Sequence, residues 1–190
     1  MNPILELPEV RSRAVPLSVA TYEWMTAKDL VARQTELIQG IIVEKMSKPP
    51  LHSYLSKTLF ARVLKCAPRG FHVQREDPLT LAGSEPEPDI AVVPGKVSDY
   101  SLHHPTTARL VIEVSVTSER LDQQKANIYA EAGVGEYWIV LGHRRTIEVY
   151  RLPEAGRYKE RRTWRTGEVL KSSALPSLEI DLAALFPGKR

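Results

Sequence analysis

The stretch that decides the fold is "RLVIEVSVTSERLDQQKANIYAEAGVGEYWIVL", residues 109–141. Its first seven residues are apolar except for Arg109, Glu113 and Ser115. A continuous apolar run of that length suits a strand in the middle of a sheet, covered on both faces. The middle third reads as a helix, with Ser118 as a candidate N-cap and Gly133 as its stop. "EYWIVL", residues 136–141, is a second apolar strand. Strand, helix and strand in succession place the two strands parallel, joined by a right-handed crossover.

Further strands flank this unit. "FHVQRE" (71–76) and "DIAVV" (89–93) precede it; a turn at "GHRR" and the strand "TIEVYR" (146–151) make a hairpin after it. "RYKERRTWR" (157–165) puts five basic residues beside Tyr158 and Trp164. That segment reads as a solvated edge strand protected by charge, with a phosphate-facing edge as the alternative. Upstream, Gly40 divides "TELIQGIIVEKM" (35–46) into two β-rich runs, a hairpin or a bent strand. Leu51, Leu55, Leu59 and Val63 recur every four residues, the mark of an amphipathic helix, which Pro68 and Gly70 end. Ser18 caps a shorter helix to about Lys28, with Tyr22, Trp24 and Met25 as its apolar contacts. The tail carries a short strand and "LEIDLAALF" (178–186). The expected architecture is α/β (α+β), a mixed β-sheet flanked by helices. Residues 18–190 form one domain, and residues 1–17, with three prolines, form an extended arm.

The chain of 190 residues carries a formal charge of +3, which permits nucleic-acid binding without demanding it. Cys66 is the only cysteine, so an internal disulfide and a cysteine-based zinc site are both excluded. No apolar run approaches the roughly 20 residues of a membrane helix. The N-terminus lacks the basic and apolar regions of a secretory signal, so a cytoplasmic protein is expected.

Two acids stand where solubility does not explain them. Asp89 opens the strand "DIAVV", and Glu113 interrupts Leu110, Val111, Ile112 and Val114. An unpaired buried carboxylate costs several kcal/mol, so a partner is expected: a metal ion, a lysine or a set of hydrogen-bond donors. Lys125 lies on the following helix in one stripe with Asp122 and Tyr129. Two carboxylates and a lysine suit phosphodiester hydrolysis, with magnesium on the hard oxygens and the ammonium beside the charge that develops on phosphorus. On spacing alone, a structural salt bridge of Glu113 with Lys125 or Arg120 ranks ahead of catalysis.

The ordered set changes that ranking. Glu36-Leu37-Ile38-Gln39-Gly40, Pro88-Asp89, Glu113-Val114-Ser115, Asp122…Lys125…Tyr129 and Glu136-Tyr137-Trp138 together resemble the Uma-two family, restriction-endonuclease-like proteins widespread in bacteria. The resemblance covers nearly the whole chain. It implies the restriction-endonuclease-like PD-(D/E)xK fold, a DNA substrate, and magnesium or manganese as cofactor. It makes Asp89 and Glu113 metal ligands, and Glu36 a third carboxylate or else a surface acid opening a strand. In the usual motif a lysine follows the acid by two residues; here Ser115 stands there, and Lys125 reaches the same space from the helix. Because two strands of a duplex need two sites, a homodimer is expected, with Ile4, Leu5 and Leu7 of the arm as pairing residues. A catalytically inactive nucleic-acid-binding or assembly module on the same fold is the alternative. An unrelated acid–base hydrolase using Glu113 has no further motif behind it.

Lesser candidates are Glu44, on one face of the hairpin, and His52, which opens the 51–66 helix and reads best as packed near its own backbone, with a phosphate or water contact at the site as the alternative. His103 and His104 belong to a solvent loop. Tyr129 packs between helix and sheet, and at least one of Tyr137 and Trp138 is core.

Overall fold

A computed structural model describes residue 4, residues 7–186 and residue 188, with the Arg11 side chain left out. The chain forms two compact units. One comprises the chain up to Lys45 together with Ala82–Glu85; the other comprises Met46–Leu81 and Pro86 onward.

In the smaller unit, Pro8–Arg11 form a single helical turn (α1), so the segment expected to be wholly extended is helical there. Proline at the first helical position explains it, since its fixed φ suits a helix start. Helix α2, Val19–Ala27, begins at Ser18, whose hydroxyl accepts the Thr21 N–H. It buries Tyr22 alone: Trp24 is exposed and Met25 half-buried, so the expected three-residue apolar face is not built. Strands β1, Thr35–Ile38, and β2, Ile41–Glu44, pair antiparallel. Gln39 (φ +49) and Gly40 (φ +76) form the two-residue turn, and both take the left-handed region that such a turn demands. A Cβ on Gly40 would also collide with Pro16, whose successor Leu17 donates its N–H to the Gly40 carbonyl. The Ala82–Glu85 segment ties down the hairpin through Gly40 N–H to Gly83 O, Gln39 N–H to Ser84 Oγ and Glu85 N–H to Leu37 O.

The larger unit is built on helix α3, Pro50–Cys66, and strands β3, Phe71–Gln74, β4, Ile90–Pro94, and β5, Leu110–Ser115. Helix α4, Glu119–Glu131, leads to β6, Glu136–Leu141, β7, Thr146–Glu154, and β8, Arg157–Arg165. These six strands form one mixed sheet in the order β3-β4-β5-β6-β7-β8. Every pair is antiparallel except β5 with β6, the pair that α4 connects, as the apolar strands and intervening helix predict. Strands β9, Val169–Lys171, and β10, Glu179–Asp181, pair in the tail, and α5, Leu182–Leu185, follows.

Side-chain alternation divides β5 between two layers. Leu110, Ile112 and Val114 join Leu55, Leu59 and Val63 of α3, Trp138, Val149 and the tail residues Leu178 and Ile180 in one core. Val111, Glu113 and Ser115 turn the other way, and Glu113 meets α4 there. Tyr137 and Trp138 are both fully buried, one in each layer. The edge strand β8 is largely exposed; Arg161 pairs with Glu148, Arg162 stacks on Trp164 and pairs with Glu168, and Lys159 pairs with Glu154. Charge on that edge guards it against pairing with another strand. No helix among the described residues is long and apolar enough to cross a membrane.

Candidate active site

Asp89 and Glu113 come together because β4 and β5 are adjacent and in register. Ile90 opposes Ile112, so one step outward Asp89 meets Glu113. The Asp89 N–H donates to Glu113 Oε2 at 3.3 Å, and the Val114 N–H donates to Asp89 Oδ2 at 2.8 Å. Each acid is thereby tied to the neighbouring strand. Both are buried, at 5% exposure each.

Lys125 projects from the face of α4 that covers β5. Its Nζ lies 3.1 Å from Glu113 Oε1 and 3.9 Å from Asp122 Oδ1, and the residue is 3% exposed. One helical turn further on, Tyr129 donates its hydroxyl to the same Glu113 Oε1 at 3.0 Å. The i, i+4 spacing of Lys125 and Tyr129 stacks them over one point of the sheet. Ser115, at the position where the usual motif carries lysine, is buried with its hydroxyl 3.4 Å from that of Ser118. Ser118 borders α4, but its hydroxyl donates to Asp122 Oδ2 at 2.6 Å rather than capping the helix.

Two residues of α3 and its approach complete the Asp89 side. His52 Nε2 lies 3.1 Å from Asp89 Oδ2, so the reading of His52 as packed against its own backbone is overturned. The reason is its place on the helix: His52 falls on the face that buries Leu55 and Leu59, and that face meets the sheet. Lys48 Nζ lies 3.5 Å from Asp89 Oδ1 and 3.1 Å from Glu76 Oε2, and it is half-exposed. Neither Lys48 nor Glu76 is singled out by spacing, since neither interrupts an apolar run.

The electrostatics of the two aspartates differ. Burial pushes the Asp89 carboxyl up, but the His52 hydrogen bond and charge, the Val114 N–H and Lys48 outweigh it, so the net shift is downward. Burial raises the Asp122 carboxyl above its ordinary range; Lys125 and the Ser118 and Ser115 hydroxyls offset only part of that, and the charge of Asp89 adds to it. Asp89 is therefore held as a carboxylate, while Asp122 binds a proton more readily than usual.

The donor set suits a hard divalent cation. Asp89 and Glu113 offer carboxylate oxygens from adjacent strands, with no cysteine near and positive groups already facing them. Two acids are fewer than a dedicated cage: no group of three or more His, Cys, Asp and Glu side chains among the described residues is arranged to hold a metal.

Of the remaining candidates, Glu36 is buried on β1 of the smaller unit, opposite Val43. Glu44 is exposed at the end of β2. His103 and His104 are exposed in their loop, as expected. Ile4 and Leu7 are half-exposed, and Leu5 lies outside the described residues.

Among curated proteins, no sequence matches this chain. Among solved structures, it is similar to one from Anabaena variabilis described as a "putative nuclease belonging to DUF820", at 17% identity and a TM-score of 0.74. That match covers 90% of this chain and 98% of the other, and it shows the same mixed α/β nuclease-like fold. The model of the Uma2 family, described as "Putative restriction endonuclease", matches residues 22–183, and the chain belongs to that family.

Proposed function

We propose that this protein is a divalent-metal-dependent endonuclease that hydrolyses DNA phosphodiester bonds, with Asp89 and Glu113 as metal ligands and Lys125 as the catalytic amine. The observation that carries the reading is the Lys125 ammonium, buried 3.1 Å from Glu113 and delivered from α4 instead of from position 115. Family membership supports it: the description of the Uma2 family names an endonuclease.

Asp89 and Glu113 would hold magnesium or manganese. A bound cation supplies a water of lowered pKa and neutralises charge on the phosphate. Lys125 sets the potential of the pocket: its ammonium stands against Glu113 and Asp122, so it steadies both acids and favours negative charge developing beside them. Tyr129 holds Glu113 Oε1 in place, and the half-exposed Lys48 puts a second cation at the solvent side of Asp89. The resemblance also assigns Glu36 to the ligands. Glu36→Gln is expected to lower cleavage at limiting magnesium, and unchanged cleavage at every magnesium concentration removes Glu36 from the site.

The test is a plasmid-nicking assay with magnesium or manganese, comparing the wild type with Asp89→Ala. Nicking by the wild type alone supports the endonuclease. Equal nicking by both refutes the assignment. Intact plasmid with a salt-sensitive gel shift turns the reading to the nucleic-acid-binding module.

A further inference from the structure

Asp89 has two unlike oxygens. Oδ2 is occupied from the protein interior, by the Val114 N–H at 2.8 Å and by His52 Nε2 at 3.1 Å. Oδ1 faces outward to the half-exposed Lys48 ammonium at 3.5 Å. A carboxylate can only accept, so the ring nitrogen that meets it, Nε2, carries the proton. The other ring nitrogen, Nδ1, is buried with no hydrogen-bond partner.

That orphaned nitrogen is the informative part. The residue is 8% exposed, on the stripe of α3 that buries Leu55 and Leu59 fully. For packing alone, leucine would serve at position 52 and would leave no buried polar atom unsatisfied. A histidine there retains an unfavourable buried nitrogen, and the hydrogen bond from Nε2 to Asp89 is its only polar return. A partner that grips one oxygen of a ligating carboxylate fixes its rotamer and aims the other oxygen.

We infer that His52 is a positioning residue for the metal site: by holding Asp89 Oδ2 it presents Oδ1 as the cation-binding oxygen. The inference rests on the reading of Asp89 as a metal ligand. It assigns Lys48 a matching place, as the cation that stands against Oδ1 when no divalent ion does.

The experiment measures manganese binding to the full-length protein by isothermal titration calorimetry, with thermal melting of each metal-free variant beside it. Asp89→Asn tests the underlying reading, and His52→Leu tests the inference. His52→Leu is expected to bind manganese about tenfold more weakly, and to melt below the wild type, because the buried Asp89 carboxylate loses a partner. His52→Gln, whose amide reaches as far as Nε2, should bind within about threefold of wild type; His52→Asn, whose amide does not reach, should match His52→Leu. If His52→Leu fails to fold, the comparison of His52→Gln with His52→Asn decides alone. Manganese binding that needs Asp89 but is equal in wild type, His52→Leu and His52→Asn overturns the inference and leaves the metal site standing. Binding that is the same in wild type and Asp89→Asn overturns both.

Discussion

Replacing Lys125 with methionine tests the centre of the site most directly. Methionine keeps the length of the stem and removes the charge. At 3.1 Å from Glu113, with an effective dielectric near 20, the ammonium's attraction is about 5 kcal/mol, and the Asp122 contact at 3.9 Å adds about 4 kcal/mol. The desolvation of three buried charges opposes these terms, so the net worth of the cluster is far smaller. The single substitution, however, strands two buried carboxylates, Glu113 at 5% and Asp122 at 4% exposure. Breaking a buried pair in this way costs about 3–5 kcal/mol. The lower end applies here, because Tyr129 and the Asp89 N–H still serve Glu113 and Ser118 still serves Asp122. A loss of about 3 kcal/mol corresponds to a melting temperature lower by roughly 6–12 °C for a chain of this size. The double variant Lys125→Met/Glu113→Gln removes both charges and should recover about 2 kcal/mol in urea denaturation. It should also remain unable to nick plasmid. A single variant within 1 kcal/mol of wild type, or a double variant no more stable than the single, refutes the buried-cluster reasoning. A stable double variant that still nicks DNA refutes the catalytic reading while sparing the structural one.

Two further outcomes follow from the charges and the surface. The folded pKa of Asp122 is raised above 3.8, so the native state holds that proton more tightly than the unfolded chain. Stability is then lost as pH rises from 3.8 through the raised value and is constant above it. Asp122→Asn should lack this fall, so its stability relative to wild type should climb between acid and neutral pH in urea titrations; a flat difference contradicts the assignment. On the surface, Ile4 and Leu7 are half-exposed, and a homodimer remains our proposal. Light scattering should give twice the 21.4 kDa of one chain, and a monomer at all concentrations would count against pairing.

The meeting of Glu113 with Lys125 was legible because local rules expose it. Glu113 is conspicuous only as the one charge inside the apolar run 110–114, and Lys125 shares a helix face with Tyr129. Both signals depend on periodicity within one element and on the crossover that stacks α4 over β5. The hairpin of β1 and β2 was legible in the same way, from Gly40. Trp24 misled: aromatic residues near a helix cap need not be buried, and only the packing of α2 shows that Tyr22 is the one that is. His52 was visible as a candidate, but its direction was not: it lies one helical turn before Leu55 on the same face of α3, so it faces the sheet and not its own backbone.

What the sequence by itself determined is the succession of strands and helices, the β5–α4–β6 crossover and the two acids that no apolar strand would otherwise carry. Only the tertiary structure decided which groups those acids meet. The His52 contact joins residues 37 apart, and the Lys48–Glu76 pair closes onto the same carboxylate from two separate segments. Periodicity reports which face of an element is buried; it carries no record of which face lies opposite. Hydrogen bonds and ion pairs form over about 3 Å, so their partners are fixed only when the sheet register and the docking of α3 and α4 are fixed.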